Sequence, residues 1–379
     1  MKVLISGGAG FIGKHLAFRL AKAGVDITIV DNLSPQVHGP TADFDPKLRS
    51  IARCVRGDVG NRALVTELLA DREILVHFAA ETGTAQSMYA VAHYSQVNIQ
   101  ATAGILDSIV NRRPANLGKI IVASSRAIYG EGKYRCPVDG DVYPASRSAL
   151  DMTEGRFDPR CPVCGGAVGA VATDEQAPYG PTSFYGLTKQ VQEQMALIFG
   201  KTLGLDAIAL RYQNVYGPGQ SLSNPYTGIL AIFSNLVRQK KSINVFEDGK
   251  ESRDFVYIDD VVDATVACMR PEVRGVHAIN VGSGVATSVL TVAKSIAAYF
   301  NADVPVTITG DFRQGDIRHN FADITKIGSL IGFRPKRSFR EGLHFFLNWA
   351  ESNEPMEAGF DRSLHELKER GLMGTAVSP

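Results

Sequence analysis

KVLISGGAGFIGKHLAFRLAKAGVDITIVDNLS, residues 2–34, has the pattern of a strand, a glycine turn, a helix and a second strand. Its two apolar runs, VLI and ITIV, are typical of buried parallel strands. Between them Gly7, Gly10 and Gly13 are spaced G-x-x-G-x-x-G, which permits a tight turn, close approach to a pyrophosphate and packing of the helix on the strand. This stretch predicts a dinucleotide-binding unit, with the anion at the helix N-terminus.

The cofactor site is predicted to continue at the ends of later strands. Asp31 ends the second strand, where a carboxylate can hold a ribose diol and would repel a 2′-phosphate, so the sequence favours NAD over NADP. Further strand–helix units follow in ARCVRGDV, EILVHFAA and KIIVASS. Asp58 could meet an adenine edge or cap a helix, and Asn98 could lie near the cofactor or satisfy backbone and water. The candidate NAD-binding residues in this half are Gly7, Gly10, Phe11, Ile12, Gly13, Asp31, Asn32, Asp58, Val59, Ala79, Ala80, Asn98 and Ser124.

The composition is that of an ordinary globular protein. The chain has 379 residues, 45% hydrophobic and 21% charged, which allows two domains or one large α/β domain with a smaller lobe. The net charge is +1 and no basic run stands out, so we expect neither nucleic acid nor a membrane as a partner. The chain opens on a strand and has no apolar stretch near the roughly 18 residues of a membrane span. With only five cysteines, too few for a disulfide scaffold, these features predict a cytoplasmic protein.

A tyrosine and a lysine share one face of a long predicted helix. SFYGLTKQVQEQMALIFGK, residues 183–201, places Tyr185 and Lys189 one turn apart. Tyrosine loses its proton near pH 10, which is too high for a base at neutral pH. A neighbouring ammonium and a positive nicotinamide ring would lower that pKa. The spacing alone does not exclude two unrelated helix residues.

Six motifs occur in a characteristic order along the chain. They are GGAGFIG, the SS strand end, YGLTK, LRYQNVYGPGQ, RDFVYIDDVV and INVGSG. Together they resemble the extended short-chain dehydrogenase/reductases that act on nucleotide sugars. The resemblance implies an α/β fold with a doubly wound (Rossmann) parallel sheet and a smaller C-terminal substrate lobe, and a nucleotide-diphosphate sugar as substrate. It also implies a homodimer formed by the helices that carry Asn98 and Tyr185.

The same resemblance implies roles for individual side chains at the reacting carbon. Tyr185 would be the general base, and Ser125 would hydrogen-bond the reacting sugar oxygen. Lys189 would hold the nicotinamide ribose and lower the pKa of the tyrosine. Tyr185 and Lys189 therefore join both the catalytic and the NAD-binding sets.

Three further residues resemble the family's ligands for the substrate diphosphate. They are Asn214 in RYQNVYG, Arg253 in ESRDFVY and Arg313 in FRQGDIRH. Arginine suits this task because its planar fork grips phosphate oxygens in pairs. The alternative for Arg253 is a surface ion pair with Asp254.

The two residues after Ser125 separate possible reactions. The sugar-nucleotide 4,6-dehydratases, which this chain resembles, carry an Asp-Glu pair there, and this chain has Arg126 and Ala127. Neither can act as a general acid or base at neutral pH, which leaves one oxidation and a returned hydride, a 4-epimerisation. Arg126 could face solvent or cover the sugar pocket as a substrate contact. The alternatives are a 4-reductase, which Asp31 disfavours, and a non-catalytic NAD-binding sensor or scaffold, which the Ser125–Tyr185–Lys189 set disfavours.

An insertion at 133–178 contains two nearly identical turns, RCPVDG and RCPVCGG. CPxCG is typical of a zinc knuckle, so Cys136, Asp139, Cys161 and Cys164 could form a structural Cys3Asp zinc site. Asp139 weakens this signal relative to four cysteines. The alternative is a metal-free hairpin held by its own packing.

The stretch AAETGTAQSMY, residues 79–89, is predicted to line the sugar pocket. Its candidate sugar contacts are Thr82, Thr84 and Gln86, and an ordinary polar loop is the alternative for each. Within the family, this stretch and the cysteine-bearing insertion are similar to the dTDP-L-rhamnose 4-epimerases. That similarity implies a deoxysugar substrate, with UDP-hexose as the alternative.

The predicted domains follow from these segments. Residues 1–180 form the predicted NAD-binding domain and residues 181–379 the substrate lobe. Strand patterns recur at LDAIALRY and VHAINVGS, so we expect the lobes to interleave. FDRSLHELKERGL, with Leu364 and Leu367 on one face, predicts a short amphipathic helix that packs on its own subunit.

Overall fold

A central parallel sheet organises the molecule. The computed structural model describes residues 1–39, 41–222, 224, 228–354 and 360–377. Seven parallel strands form the sheet, in the spatial order Val276–Val281, Asp206–Tyr212, Lys119–Ser125, Ile74–His77, Lys2–Ser6, Asp26–Asp31 and Arg53–Arg56. The order reverses direction at the first strand, as in doubly wound folds. The predicted fold class is confirmed.

Helices cover both faces of this sheet, which explains the continuous apolar runs of its strands. Val3 and Ile5 face one layer and Leu4 faces the other. One layer contains the helices Phe11–Ala21 and Ile258–Cys268; the other contains Arg62–Leu69, Ala101–Arg112 and Phe184–Leu203. Shorter helical segments connect these units at Pro35–His38, Pro46–Arg49, Thr84–Ser87, Val91–Tyr94, Ser95–Gln100 (a π-helical turn) and Arg126–Tyr129 (a 3₁₀ turn).

The C-terminal lobe shares the chain with the central sheet. Two strands from the second half of the chain, Asp206–Tyr212 and Val276–Val281, belong to that sheet, so the lobes interleave and residue 180 does not separate them. The lobe has a second sheet of Asn214–Tyr216, Ser252–Tyr257, Ala286–Ser288 and His319–Asn320, and the strand pairs Ile243–Val245 with Val306–Ile308 and Asp311–Arg313 with Met373–Thr375. Its helices are Ile229–Arg238, Val289–Tyr299, Thr325–Ile331, Phe339–Glu351 and Phe360–Glu369.

The insertion folds as a small unit of its own. Three short antiparallel strands lie side by side in the order Gly140–Val142, Tyr134–Cys136 and Gly169–Ala170. The helix Ala149–Thr153 follows the strand Gly140–Val142 along the chain. Its small core contains Tyr134, Cys136, Val142 and Cys161.

The C-terminal helix packs on its own chain, as the sequence predicts. Leu367 is buried and Leu364 is half-buried. The hydroxyl of Tyr89 donates a hydrogen bond to Glu366 of this helix at 2.8 Å. Across the described residues, no helix has the length and apolar character needed to cross a bilayer.

Candidate active site

A cavity of about 750 Å³ opens at the carboxyl ends of the central strands. This is the edge where doubly wound sheets bind their ligands. The cavity is lined by predicted residues from both halves of the chain, namely Gly7, Gly10, Phe11, Ile12, Gly13, Asp31, Asn32, Asp58, Val59, Ala79, Ala80, Thr82, Ser124, Ser125, Arg126, Tyr185, Lys189 and Asn214.

The glycine turn has the shape that a dinucleotide requires. Gly7 has φ +68°, and a Cβ built there would lie 2.6 Å from the backbone nitrogen of Ala79. A Cβ at Gly13 would lie 2.6 Å from the carbonyl oxygen of Gly7. Gly10 caps the helix Phe11–Ala21 without a side-chain hydrogen bond, so the first N–H groups of this helix remain available to an anion.

Asp31 lines the cavity at the end of the strand Asp26–Asp31. Its carboxylate accepts hydrogen bonds from the backbone N–H groups of Ala9, at 3.0 Å, and Leu33, at 2.9 Å. Asn32 donates to Asp58 at 3.1 Å. Asp58 does not cap the following helix, because Asn61 is that cap. The helix-cap alternative for Asp58 is therefore wrong.

Asn98 acts inside the protein and does not line the cavity. It is completely buried, and its side chain exchanges hydrogen bonds with the backbone of Glu81, at 2.8 and 3.1 Å. It also donates to the hydroxyl of Thr188 at 2.9 Å. The backbone-satisfying alternative describes Asn98, which joins the end of one strand to the catalytic helix, Phe184–Leu203.

The catalytic side chains meet where a strand and a helix touch. Ser125 ends the strand Lys119–Ser125, and its hydroxyl accepts from the backbone N–H of Ala127 at 3.1 Å. The catalytic helix begins at its N-cap, Ser183, and carries Tyr185 and Lys189. A Cβ at Gly186 would lie 2.5 Å from the carbonyl oxygen of Ala127, so the glycine of YGLTK lets the helix approach the strand end.

Burial sets the ionisation of both catalytic helix residues. It raises the pKa of Tyr185, while a hydrogen bond with Ser125 and the charge of Arg126 act in the opposite direction. Burial lowers the pKa of Lys189 to about 7, and its ammonium donates to Gln192 at 2.7 Å. The charge of Arg126 acts to lower the pKa of Tyr185, and the same effect implied for Lys189 stays a prediction.

Arg126 lines the cavity, so the alternative that it faces solvent is wrong. It is half-buried, and its Nε donates to Asn214 Oδ1 at 2.6 Å. Burial and the nearby charge of Arg253 lower the pKa of its guanidinium to about 9. Sequence reasoning thus named two cavity residues, Arg126 and Asn214, without anticipating that they contact each other.

Ser124 lines the cavity, and its hydroxyl is bonded inside the protein. Its hydroxyl donates to Glu193, which is completely buried on the catalytic helix. Glu193 in turn accepts from Arg211 at 2.5 Å and from Tyr179 at 2.9 Å. The hydroxyl of Ser124 belongs to this buried network, and its NAD-binding role stays a prediction.

Arg253 and Arg313 surround an aspartate behind the cavity. Arg253 is buried and donates to Asp316 at 2.9 Å, and Arg313 lies 3.7 Å from the same carboxylate. Burial raises the pKa of Asp316, but Arg253 and Arg313 outweigh it and bring that pKa to about 2. Asp254 pairs with Ser283 instead, so the proposed Arg253–Asp254 ion pair is wrong.

The three predicted sugar contacts separate. Thr82 lines the main cavity, while Thr84 lines a small neighbouring crevice with Arg313. Gln86 contacts protein instead, exchanging hydrogen bonds with Gln36 at 2.9 and 3.0 Å. Gln86 therefore does not contact the cavity, because its amide is already paired.

Several cavity residues were not predicted from the sequence, and Gln213 is one of them. Gln213 follows the strand Asp206–Tyr212 and lines the cavity beside Asn214. Both polar atoms of its buried side chain have no hydrogen-bond partner among the described residues. Its position between two recognised motif residues was the available signal.

The insertion brings its four predicted ligands together. The ligand atoms of Cys136, Asp139, Cys161 and Cys164 all lie within 4.8 Å of one another. The Cys136 and Cys164 sulfurs are 3.6 Å apart, and Asp139 Oδ2 lies 3.3 and 3.0 Å from the sulfurs of Cys136 and Cys161. Tetrahedral zinc with Zn–S bonds of about 2.3 Å separates its sulfur ligands by about 3.8 Å. This donor set and its spacing fit such an ion.

Comparison with known proteins identifies the family. A family model described as the NAD dependent epimerase/dehydratase family matches residues 3–149 and 164–282. The chain belongs to this family. It is an NAD-dependent enzyme family with nucleotide-sugar relatives, and the gap in the match falls inside the insertion.

Curated relatives and solved structures of this family span nearly the whole chain. The chain is 39% identical to a dTDP-L-rhamnose 4-epimerase of Burkholderia thailandensis, covering 92% of this chain and 94% of that one. It is 29% identical to a putative UDP-glucose 4-epimerase of Methanocaldococcus jannaschii, over 93% and 99%. It is similar to the UDP-glucose 4-epimerase of Thermotoga maritima solved with UDP-glucose, with TM-score 0.75, 27% identity, and coverage of 93% and 99%. MoeE5 in complex with UDP-glucuronic acid and NAD is also similar, with TM-score 0.74, 26% identity, and coverage of 93% and 99%.

Proposed function

We propose that this protein is a nucleotide-sugar 4-epimerase that acts on dTDP-L-rhamnose or a related deoxysugar. It would oxidise C4 transiently and return the hydride to the opposite face of the same carbon. One observation carries the proposal: Ser125 and Tyr185 share the cavity with Arg126, and the positions after Ser125 hold no acid or base. The relative at 39% identity supports the choice of sugar.

The cavity fits NAD on steric and electrostatic grounds. Gly7 and Gly13 leave no room for a Cβ, and Asp31 offers a carboxylate at the end of the second strand. We assign the pyrophosphate to the N–H groups that follow Gly10, the adenosine ribose to Asp31 and the nicotinamide ribose to Lys189. When bound, the cofactor supplies a reversible store for the hydride removed from C4.

The side chains at the reacting carbon have separate roles in removing the proton of the C4 hydroxyl. Tyr185 takes the proton of the C4 hydroxyl, and Ser125, which hydrogen-bonds Tyr185, orients that hydroxyl. The charge of Arg126 opposes the rise that burial causes in the pKa of Tyr185, and Arg126 donates a hydrogen bond to Asn214, which we assign to the substrate. Since Arg126 and Ala127 cannot expel water from C6, the 4-keto sugar has no route except reduction.

The substrate diphosphate is assigned to Asn214, Arg253 and Arg313. Asp316 holds the two arginines before any ligand binds. Gln213, with two unpaired polar atoms, and Thr82 are candidate contacts for the sugar. This arrangement favours a ligand that carries several oxygen acceptors and hydroxyl groups.

Proton NMR tests the reaction directly. Purified protein is incubated with dTDP-L-rhamnose, and separately with UDP-galactose, without added cofactor. A new C4 epimer from the first supports the proposal, and one from UDP-galactose alone indicates a hexose epimerase. NAD released on denaturation separates an epimerase from a reductase, which needs NADPH. No change with either sugar, even after NAD is supplied, would refute epimerisation of both.

We also propose that the cluster of Cys136, Asp139, Cys161 and Cys164 holds a structural zinc ion. The sulfur spacing supports this assignment, and a long insertion gains order from such a staple. Elemental analysis of protein purified without chelator should give one zinc per chain. The variant Cys161→Ser should lose it and Cys54→Ser, outside the cluster, should keep it. Absence of zinc from the parent protein would leave the metal-free hairpin.

A homodimer in the cytoplasm completes the proposal. The catalytic helix exposes Leu187 and Ile198, three turns apart and so on one face. Light scattering after size exclusion should give twice the chain mass, and Ile198→Glu should lower it. All five cysteines are unpaired thiols, which suits a reducing compartment.

A further inference from the structure

Arg147, a buried arginine of the insertion, contacts the C-terminal lobe. The side chain of Arg147 is 3% exposed. Its two terminal nitrogens donate to the two carboxylate oxygens of Glu247, each at 2.8 Å, in a bidentate pair. Its Nε lies 3.2 Å from Glu131, which is completely buried. A surface loop has no need of such a contact.

Arg147 holds both ends of the segment 311–316. At one end, the backbone N–H of its partner Glu247 donates to the carbonyl oxygen of Asp311 at 2.8 Å. At the other, Arg147 itself donates to the carbonyl oxygen of Asp316 at 2.9 Å. This segment carries Arg313 and Asp316, and Asp316 fixes Arg253. The two arginines assigned to the diphosphate therefore depend on one side chain of the insertion.

Two further contacts support the same segment. Met152 and Phe157 of the insertion form a buried cluster with Phe312, which precedes Arg313. Asp158 accepts a hydrogen bond from Arg318 at 2.7 Å. The insertion thus packs behind the segment as well as holding its ends.

The proposed metal cluster lies at the other end of this support. Cys136 shares a short buried strand with Tyr134. The hydroxyl of Tyr134 donates to Glu131 at 3.1 Å, and Glu131 pairs with Arg147. A continuous chain of contacts therefore joins the cysteines to the arginines around Asp316.

We propose that Arg147 is a positioning residue for the substrate diphosphate, and that the insertion serves to hold the segment 311–316 in its binding geometry. This inference rests on the proposed function, in which Arg253 and Arg313 bind the diphosphate. Arg147 touches neither the cavity nor the cofactor, so its removal acts on substrate affinity and leaves NAD in place.

The test compares Arg147→Ala and Arg147→Lys with Arg156→Ala. Arg156 is an exposed insertion arginine whose ion-pair partners among the described residues are Asp151 and Glu154, and it serves as the matched control. We measure KM and kcat with the nucleotide sugar, the Kd of dTDP and of UDP by calorimetry, and the NAD released per chain. A displaced binding group commonly costs up to about 100-fold. Arg147→Ala should therefore raise KM and Kd by about 10- to 100-fold, with kcat within about threefold and NAD unchanged.

Arg147→Lys keeps the positive charge but loses the planar guanidinium that pairs with both oxygens of Glu247. KM and Kd should therefore rise by less than in Arg147→Ala. If the alanine variant does not fold, the KM and Kd of the lysine variant test the inference. Unchanged KM and Kd in the lysine variant, or a fall in kcat alone, would overturn the inference while the proposed function stands. A parent protein that binds neither nucleoside diphosphate nor nucleotide sugar would overturn the proposed function and this inference with it.

Discussion

The cavity has two halves that are built in different ways. The cofactor half contains the glycine turn, and its shape depends on missing Cβ atoms at Gly7 and Gly13. The substrate half contains Arg126 and Asn214, and the arginines assigned to the diphosphate are held outside the described cavity lining by ion pairs between distant segments, as Arg253 is held by Asp316. Steric limits at the glycines determine the shape of the cofactor half. Ion pairs between distant segments determine where the side chains assigned to the substrate lie. Substitutions should therefore impair NAD binding and sugar binding separately.

The largest expected effect lies between the two halves, at the proton-transfer step. Tyr185→Phe should reduce kcat by about 10²- to 10⁴-fold, since general base catalysis is worth that much. NAD content and the melting temperature should stay near those of the parent protein. Tyr143→Phe, at an exposed position in the insertion, is the control. Activity within tenfold of the parent in Tyr185→Phe would remove the tyrosine from the mechanism.

The next effect should fall on the cofactor half alone. In Gly13→Ala the new Cβ would lie 2.6 Å from the backbone of both Gly7 and Gly8, which cannot move aside cheaply. We expect a loss of about 1–3 kcal/mol in the free energy of unfolding, with most of the bound NAD lost. The control is Gly104→Ala, where a Cβ meets nothing within 4 Å and should stabilise the helix Ala101–Arg112 by up to about 1 kcal/mol. Full NAD occupancy in Gly13→Ala would contradict the steric account.

A smaller effect should fall on the substrate half alone. Asp316→Asn removes the charge that holds Arg253 and Arg313, so KM should rise about tenfold while NAD content is unchanged. Because the folded pKa of Asp316, about 2, is below the ordinary value of 3.8, the carboxylate stabilises the fold above about pH 4. We expect the variant to be roughly 1–2 kcal/mol less stable at pH 7. Denaturant unfolding at several pH values should show this difference disappear as the pH falls toward 2. A difference that persists there would argue for another cause.

The smallest effect is expected from the metal cluster, which is farthest from the reacting carbon. Cys161→Ser should lower the melting temperature by a few degrees, as about 1–2 kcal/mol does in a chain of this size. It should raise KM slightly and leave NAD content unchanged. Differential scanning calorimetry with and without a chelator measures the first effect, and Cys54→Ser is the control. If the chelator shifts both variants and the parent equally, the stabilisation does not come from this cluster.

The difference between the cofactor half and the substrate half also explains which features the sequence could predict. The roles of Gly7, Gly13 and Asp31 depend on neighbours along the chain, and the structure places all three as predicted. The catalytic pair was predictable because a spacing of four fixes one helix face. These features needed no knowledge of how distant segments meet.

The sequence did not predict the hydrogen-bond partners of side chains whose partner lies far away in the chain. Ser124 bonds Glu193, Gln86 bonds Gln36 and Arg253 bonds Asp316, and in each case the motif indicated the right segment but not the contact. The motif that contains Gln213 gave its position, but not that its side chain would have no hydrogen-bond partner among the described residues. A single sequence does not determine which polar groups become partners after the chain has folded.

The buried pair of Glu193 and Arg211 has a consequence for movement during turnover. Glu193 on the catalytic helix accepts hydrogen bonds from Arg211 on the strand Asp206–Tyr212 and from Ser124 on the neighbouring strand, so we expect the helix and the strand that ends in Ser125 to move as one rigid unit. Amide protons of both elements should exchange only when the whole molecule unfolds. Since the proposed inversion returns the hydride to the opposite face of C4, a rigid site requires the 4-keto sugar to turn over. The protein then stays rigid during turnover, and only the sugar changes its orientation.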